Sequence, residues 1–483
     1  MPSANNAPGN GSFAARISNL FTADLLPQLL KLSQDFLNQG DPRQFFNFEL
    51  ELHKQALQFS DRVTEQALLE KIHDPELIEQ AIKHYQAKGF HVHSRKKPTT
   101  VQLYGGNTVS IKTVYMSPAK KNKKGRRRSV GRRGRKGKGV YPVLKMLGIA
   151  HQASPALQNE TTLSALNNTF AEATGNLERH GVDLSEKRVR TISENVGAAA
   201  LQERAAKIEQ FNHGQLAAGD TFAGQKVVVA IDGGRTRTRQ TKTGQKKKGQ
   251  KRQGFSTDWK EPKLFTIYAI DDEGKKLNQK IRPFCDGTIV GRDAFKALLK
   301  MYLYQTGVPR AKHITFIGDG SEWIWNVVAE TITEMNLDPT MIAQVLDFYH
   351  ATEHLWKMVD AMPKLTRKQK NRLFKHAKKQ LRRGRIDGLL ETFGRKTKSS
   401  PKARKKLQYF VDHKEQCRYD AFIAQKIPIG SGAIESAIRR VVNLRLKGAG
   451  MFWLEANAEA FLHLRCQLKV GRWNEYFASR LNL

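Results

Sequence analysis

Cysteine is nearly missing. Cys285, Cys417 and Cys466 are the only three in 483 residues, widely spaced and without a C-x-x-C pair. That spacing argues against a disulfide framework and against a cysteine zinc module. No apolar run approaches the roughly 18 residues that span a bilayer, and no stretch reads as a secretory h-region, so an intracellular protein without a membrane role is expected. Acidic residues are also few, 45 against 82 Lys and Arg, which leaves a formal net charge of +37.

Such an excess of one sign repels itself, and a polyanion relieves it while releasing condensed counterions, so nucleic acid is the expected partner. The positive charge is clustered. Twelve of the nineteen residues from Lys120 to Lys138 are Lys or Arg, interleaved with Gly and free of acids. Lys120, Lys121, Lys123, Lys124, Arg126, Arg127, Arg128, Arg132, Arg133 and Arg135 therefore read as backbone phosphate contacts on a basic linker. A second run, from Arg235 to Arg252, holds nine Lys or Arg in eighteen residues and begins with Arg235, Arg237 and Arg239. It reads as a flexible loop that orders on phosphate.

The length implies two or three domains. Residues 1–98 form a helical N-terminal region, with Leu25, Leu26, Leu29 and Leu30 at helical spacing. A β-hairpin and the basic linker occupy 99–143, with strands around Val101, Leu103, Val109 and Ile111 and a Gly105-Gly106-Asn107 turn. In 144–212, helices over 161–175 and 186–210 flank a Gly-containing turn, with Ser185 as N-cap. They fit a helix-turn-helix that presents Lys187, Arg188 and Arg190 to DNA.

From Lys226 onward strands alternate with helices. Val227 to Ile231 is a continuous apolar run suited to a central strand, ending on Asp232-Gly233-Gly234. Strands are expected at 264–270, 280–284, 313–317 and 343–346, and helices at 294–304 and 323–335. Three strands, then helix, strand, helix and strand is the order of a ribonuclease H-like mixed five-stranded sheet, an α/β core completed by residues 226–350 and 427–483. In that order the first and fourth strands are parallel neighbours, and Asp232 and Asp319 meet at their ends. Glu435 lies on a helix that Ser431 can cap and that is expected to run to about Leu446. Clustered carboxylates suit hard divalent cations such as Mg²⁺, for which Mn²⁺ can substitute. Two such ions about 3.5–4 Å apart serve in-line phosphodiester displacement. Taken singly, each acid has a plainer role: Asp-Gly forms turns, and Glu435 can answer a helix dipole.

The segments Asp319-Gly320-Ser321-Glu322-Trp323-Ile324, Asp347-Phe348-Tyr349-His350 and Gly430-Ser431-Gly432-Ala433-Ile434-Glu435-Ser436, with Arg445-Leu446-Lys447-Gly448-Ala449-Gly450-Met451, resemble bacterial DDE transposases of the Kra group of insertion sequences. The resemblance implies Asp232, Asp319 and Glu435 as a catalytic, metal-holding triad. It implies Asp347 and His350 as a supporting D-x-x-H element, and a helical insertion over 351–426. It further implies double-stranded DNA as substrate, as transposon ends and target, a homo-oligomer on DNA, and a cytoplasmic, nucleoid-associated protein of a bacterium or archaeon. Members of that group tend to carry a cysteine pair after the N-terminal hairpin, where this chain has Met116, Ser117 and the basic run. Two rival readings remain: a zinc peptidase through His350-Ala351-Thr352-Glu353-His354, an H-x-x-E-H sequence, and an inactive transposase descendant that only binds DNA.

Overall fold

The computed structural model describes residues 12–39, 41–118, 139–242, 249, 254–363 and 365–481. The expected contacts from Lys120 to Arg135 lie outside the described residues. The chain divides into two compact units, Met1–Val196 with Phe477–Leu483, and Gly197–Tyr476. The boundary falls inside the helix Glu186–Asn212, so the expected 144–212 region is shared between the two units.

In the first unit, helices Pro42–Ile72 and Pro75–Ala87 both start on an Asp N-cap followed by Pro. They pack on the antiparallel hairpin of β1 (Phe90–Gln102) and β2 (Thr108–Pro118). Val101, Leu103, Val109 and Ile111, alternate residues of the hairpin, share one core with Leu69, Ile72 and Ala81. The buried Asp61 carboxylate closes the hairpin turn, accepting from Gly105 N at 2.8 Å and Asn107 N at 2.9 Å.

The helix expected over 161–175 is two helices, Pro155–Asn167 and Phe170–Arg179. Thr169 stops the first and caps the second through a capping box with Glu172, which satisfies end groups that a continuous helix would not have exposed. The helix Glu186–Asn212 starts as expected, with Ser185 Oγ accepting from Arg188 N at 3.3 Å.

The second unit is built on a mixed five-stranded sheet. Its strands are β3 (Lys226–Gly233), β6 (Lys263–Ile270), β7 (Phe284–Thr288), β8 (His313–Gly318) and β9 (Ile342–Leu346), in the order β7-β6-β3-β8-β9. As the apolar run requires, β3 is central, antiparallel to β6 and parallel to β8, and Val227 to Ile231 are fully buried. The third strand starts at Phe284, not at Lys280; residues 280–283 form a turn and its exit.

The basic segment after β3, expected as a flexible loop, is in part a β-ribbon. Its first residues form β4 (Thr236–Thr241), which pairs antiparallel with β5 (Phe255–Lys260) just beyond its end as a separate sheet, while residues 243–248 and 250–253 lie outside the described residues. Among the described residues, four α-helices, Arg367–Arg382, Ile386–Lys396, Pro401–Asp412 and Tyr419–Ala424, and a 3-10 turn, Glu415–Cys417, follow Phe348–Asp360 where a helical insertion is expected. All three cysteines are free and buried. Among the described residues no helix is long and apolar enough to cross a membrane.

Candidate active site

Sheet register sets the site. Ile231 of β3 pairs with Gly318 of β8, so the next residues, Asp232 and Asp319, leave the same edge side by side. Gly318 also pairs with Leu346 of β9, and the N–H of Asp347 donates to Gly318 O at 2.8 Å. Three neighbouring strand ends therefore each deliver an aspartate to one edge. The Asp319 loop is held by its own carboxylate, which accepts from Ser321 N at 2.8 Å. Trp325 Nε1 donates to the Asp319 carbonyl at 2.8 Å.

Glu435 arrives from the far end of the chain. Phe348 N donates to Ile429 O at 2.9 Å, and Ser431 N donates to the second oxygen of Asp347. The same carboxylate accepts from His350 N at 2.7 Å and caps the helix Phe348–Asp360. One buried aspartate thus fastens two helix N-termini together.

Ser431 occupies the N-cap position but makes no side-chain cap bond, contrary to expectation; its backbone N–H serves instead. The expected helix from Ser431 to Leu446 is an α-helical turn, Gly432–Ala437, passing into a π-helical stretch, Ile438–Asn443. Ile438 and Val442 are buried and close on Gly234, two residues beyond Asp232; a Cβ there would stand 3.4 Å from Val442 and 3.6 Å from Ile438. Glu435 itself is exposed.

Electrostatics connect these groups. Burial pushes the Asp232 carboxyl up to about 6, opposed by its bond from Gly233 N, with the negative charges of Asp319 and Glu435 raising it and His350 lowering it. The Asp347 carboxyl is held down at about 2, because His350 and Ser431 bonds to its ionised form outweigh burial. The His350 imidazole is pushed up to about 9, first by Asp347 and further by Asp319 and Asp232, against burial. Its Nδ1 lies 3.4 Å from Asp347 Oδ1, an ion-pair separation without hydrogen-bond alignment.

Asp347, His350 and Glu435 each offer a ligand atom within 4.8 Å of the others, and this cluster could hold a metal ion. Among the described residues it is the one such cluster; Asp232, Asp319 and Glu435 are linked by their fields but do not gather as tightly.

The H-x-x-E-H segment does not form a ligand set. His354 stacks on Tyr409, centroids 3.9 Å apart and planes 9° from parallel, and burial pushes its imidazole down to about 4. Glu353 is exposed and pairs with Lys357 at 3.6 Å.

Of the expected helix-turn-helix contacts, Arg188 donates to Gln152 O at 3.1 Å and Arg190 pairs with Glu186 at 2.8 Å, while Lys187 is exposed. Sequence reasoning missed Tyr409, whose ring fills the space a Cβ on Gly320 would need, 2.0 Å from its Cε2. It also missed Trp325, which fixes the backbone of Asp319. Both sit at ordinary apolar helix positions and give no signal of their own.

In comparisons with known proteins, no family model, no curated protein and no solved structure matches this chain.

Proposed function

We propose that the chain is a DNA transposase of the DDE type, with a ribonuclease H-like second unit that cuts and rejoins phosphodiester bonds. One observation carries the reading: β3 and β8, parallel neighbours, deliver Asp232 and Asp319 to one sheet edge, where Asp319 and Glu435 raise and His350 lowers the proton affinity of the half-buried Asp232 carboxyl. A core that gathers acids at such a cost in repulsion and desolvation suits a positively charged ligand.

Carboxylate oxygens suit hard divalent cations, so Asp232, Asp319 and Glu435 would hold Mg²⁺ or Mn²⁺, with Glu435 shared with the tighter group it forms with Asp347 and His350. When bound, two such ions would supply activation of the attacking oxygen and stabilisation of the leaving one. The chain's own residues supply the frame. Asp347 stays ionised and locks the Glu435 helix to the sheet edge through Ser431. His350 is protonated at neutral pH, and its positive charge serves a phosphate better than it serves a metal, which needs the neutral ring. The charge of +37 supplies the attraction for double-stranded DNA.

The test is nicking of supercoiled plasmid by the purified full chain. The reading expects nicking that requires Mg²⁺ or Mn²⁺, stops with EDTA, and is lost in Asp319→Ala while plasmid binding is retained. Binding without metal-dependent nicking in the parent chain would leave only a DNA-binding protein.

A further inference from the structure

The ribbon of β4 and β5 carries two chemistries on its two faces. On the inner face Thr236 and Thr238 are buried, and Thr236 Oγ1 donates to Leu446 O at 2.9 Å. Trp453 adds a strand-like tie, donating from its N–H to Arg237 O at 3.2 Å and accepting from Arg239 N at 2.8 Å. These bonds tie the ribbon to the backbone at Leu446 and Trp453.

On the outer face Arg237 stands directly opposite Trp259. The guanidinium groups of Arg235 and Arg237 each lie 5.2 Å from the Trp259 ring, and Arg237 is also 5.1 Å from Phe452. Arg239 lies 5.6 Å from Phe255, whose ring is 5.5 Å from that of Phe452. Trp259 is 48% and Phe255 42% exposed.

Three arginines bracketing exposed rings offer a flat face and positive charge at the same spacing. A duplex hides its base faces inside the stack, so it would use only the arginines; a base outside the stack uses both, the ring for its π-face and the guanidinium for its phosphate. The like-signed charge of this face argues for a nucleic acid strand over a protein surface of mixed charge. Thr236 follows Asp232 by only four residues, which ties the ribbon to the proposed cutting site.

We propose that this face binds an unpaired or single-stranded stretch of the DNA substrate, with bases stacking on Trp259 and Phe255 and with Arg235, Arg237 and Arg239 on its backbone. The proposal rests on the DNA reading above and adds the form of DNA that this surface takes.

The experiment measures anisotropy of labelled oligo-dT and of a blunt duplex of equal length, titrated with the full chain. Trp259→Ala should weaken oligo-dT binding roughly 5- to 100-fold, the range for loss of one stacked base, and weaken duplex binding by less than about 2-fold. Trp259→Phe should retain most of the oligo-dT affinity. Equal losses on both ligands, or no loss on oligo-dT, would overturn the stacking face while leaving DNA binding intact. A parent chain that binds neither DNA would remove the DNA reading and this proposal together. Tighter binding of oligo-U than of oligo-dT, abolished by Trp259→Ala, would make RNA the ligand and would also overturn it.

Discussion

Single residues carry opposite loads at this site. Asp232 is a carboxylate whose folded-state pKa is raised to about 6, so ionising it costs stability as the pH rises from about 4 through 6. Asp232→Asn should therefore stabilise the chain above pH 6, on the order of 2 kcal/mol, while abolishing metal-dependent nicking. Thermal unfolding at pH 7 checks this; a lower melting temperature than the parent would contradict it. His350 has the reverse sign. Its folded-state pKa is raised to about 9, so the stability it contributes is complete below about 6.5 and is lost as the pH rises through 9. His350→Gln should flatten the fall in stability over that window and slow cleavage with little change in melting temperature at pH 9. Cleavage rates equal to the parent's from pH 6 to 9 would make His350 a structural residue. That Asp232 and Asp319 end strands was legible from the apolar runs before them. The double task of Asp347 was not, because its second partner is a backbone N–H 84 residues away.

At the scale of elements, helix ends and strand register position the chemistry. Asp347 accepts backbone bonds from the first turn of one helix and from the residue that begins another. Asp347→Ala leaves both N–H groups without that acceptor and should destabilise the chain by about 2 kcal/mol or more, measurable by urea unfolding. An effect below about 0.5 kcal/mol would show that water replaces the carboxylate at both sites. Gly320 lies against Tyr409, and Gly320→Ala should displace either the Asp319 loop or the helix Pro401–Asp412, reducing nicking more than it reduces DNA binding. Wild-type nicking in that variant would show that Tyr409 moves freely. Element boundaries were readable where periodicity dominates, as in β3, β8 and Glu322–Glu334. They were misread where a stronger cue lay on top. The alternation Thr-Arg-Thr-Arg of β4 is a strand signal hidden beneath a charge run. In the same way, the Thr169 capping box interrupts an otherwise continuous apolar repeat.

At the scale of the molecule, charge and sheet topology point the same way. The chain carries +37, and its mixed sheet gathers acids at one edge within that positive background. Salt should therefore weaken DNA binding steeply, and deletion of residues 120–138 should reduce the slope of log K against log salt while affecting all sequences alike. A loss confined to one sequence with an unchanged slope would contradict a backbone role for that segment. The central claim is that Asp232, Asp319 and Glu435 act as one metal-dependent centre. The most direct measurement is the Mn²⁺-dependent nicking rate of the three single alanine variants and the Asp232→Ala/Glu435→Ala double variant, each with DNA binding shown intact. One shared centre predicts that every single variant loses at least about 100-fold and that the double variant is no slower than the worse single, because residues acting as a unit are non-additive. Losses that multiply in the double variant, or full activity in any single one, would contradict it.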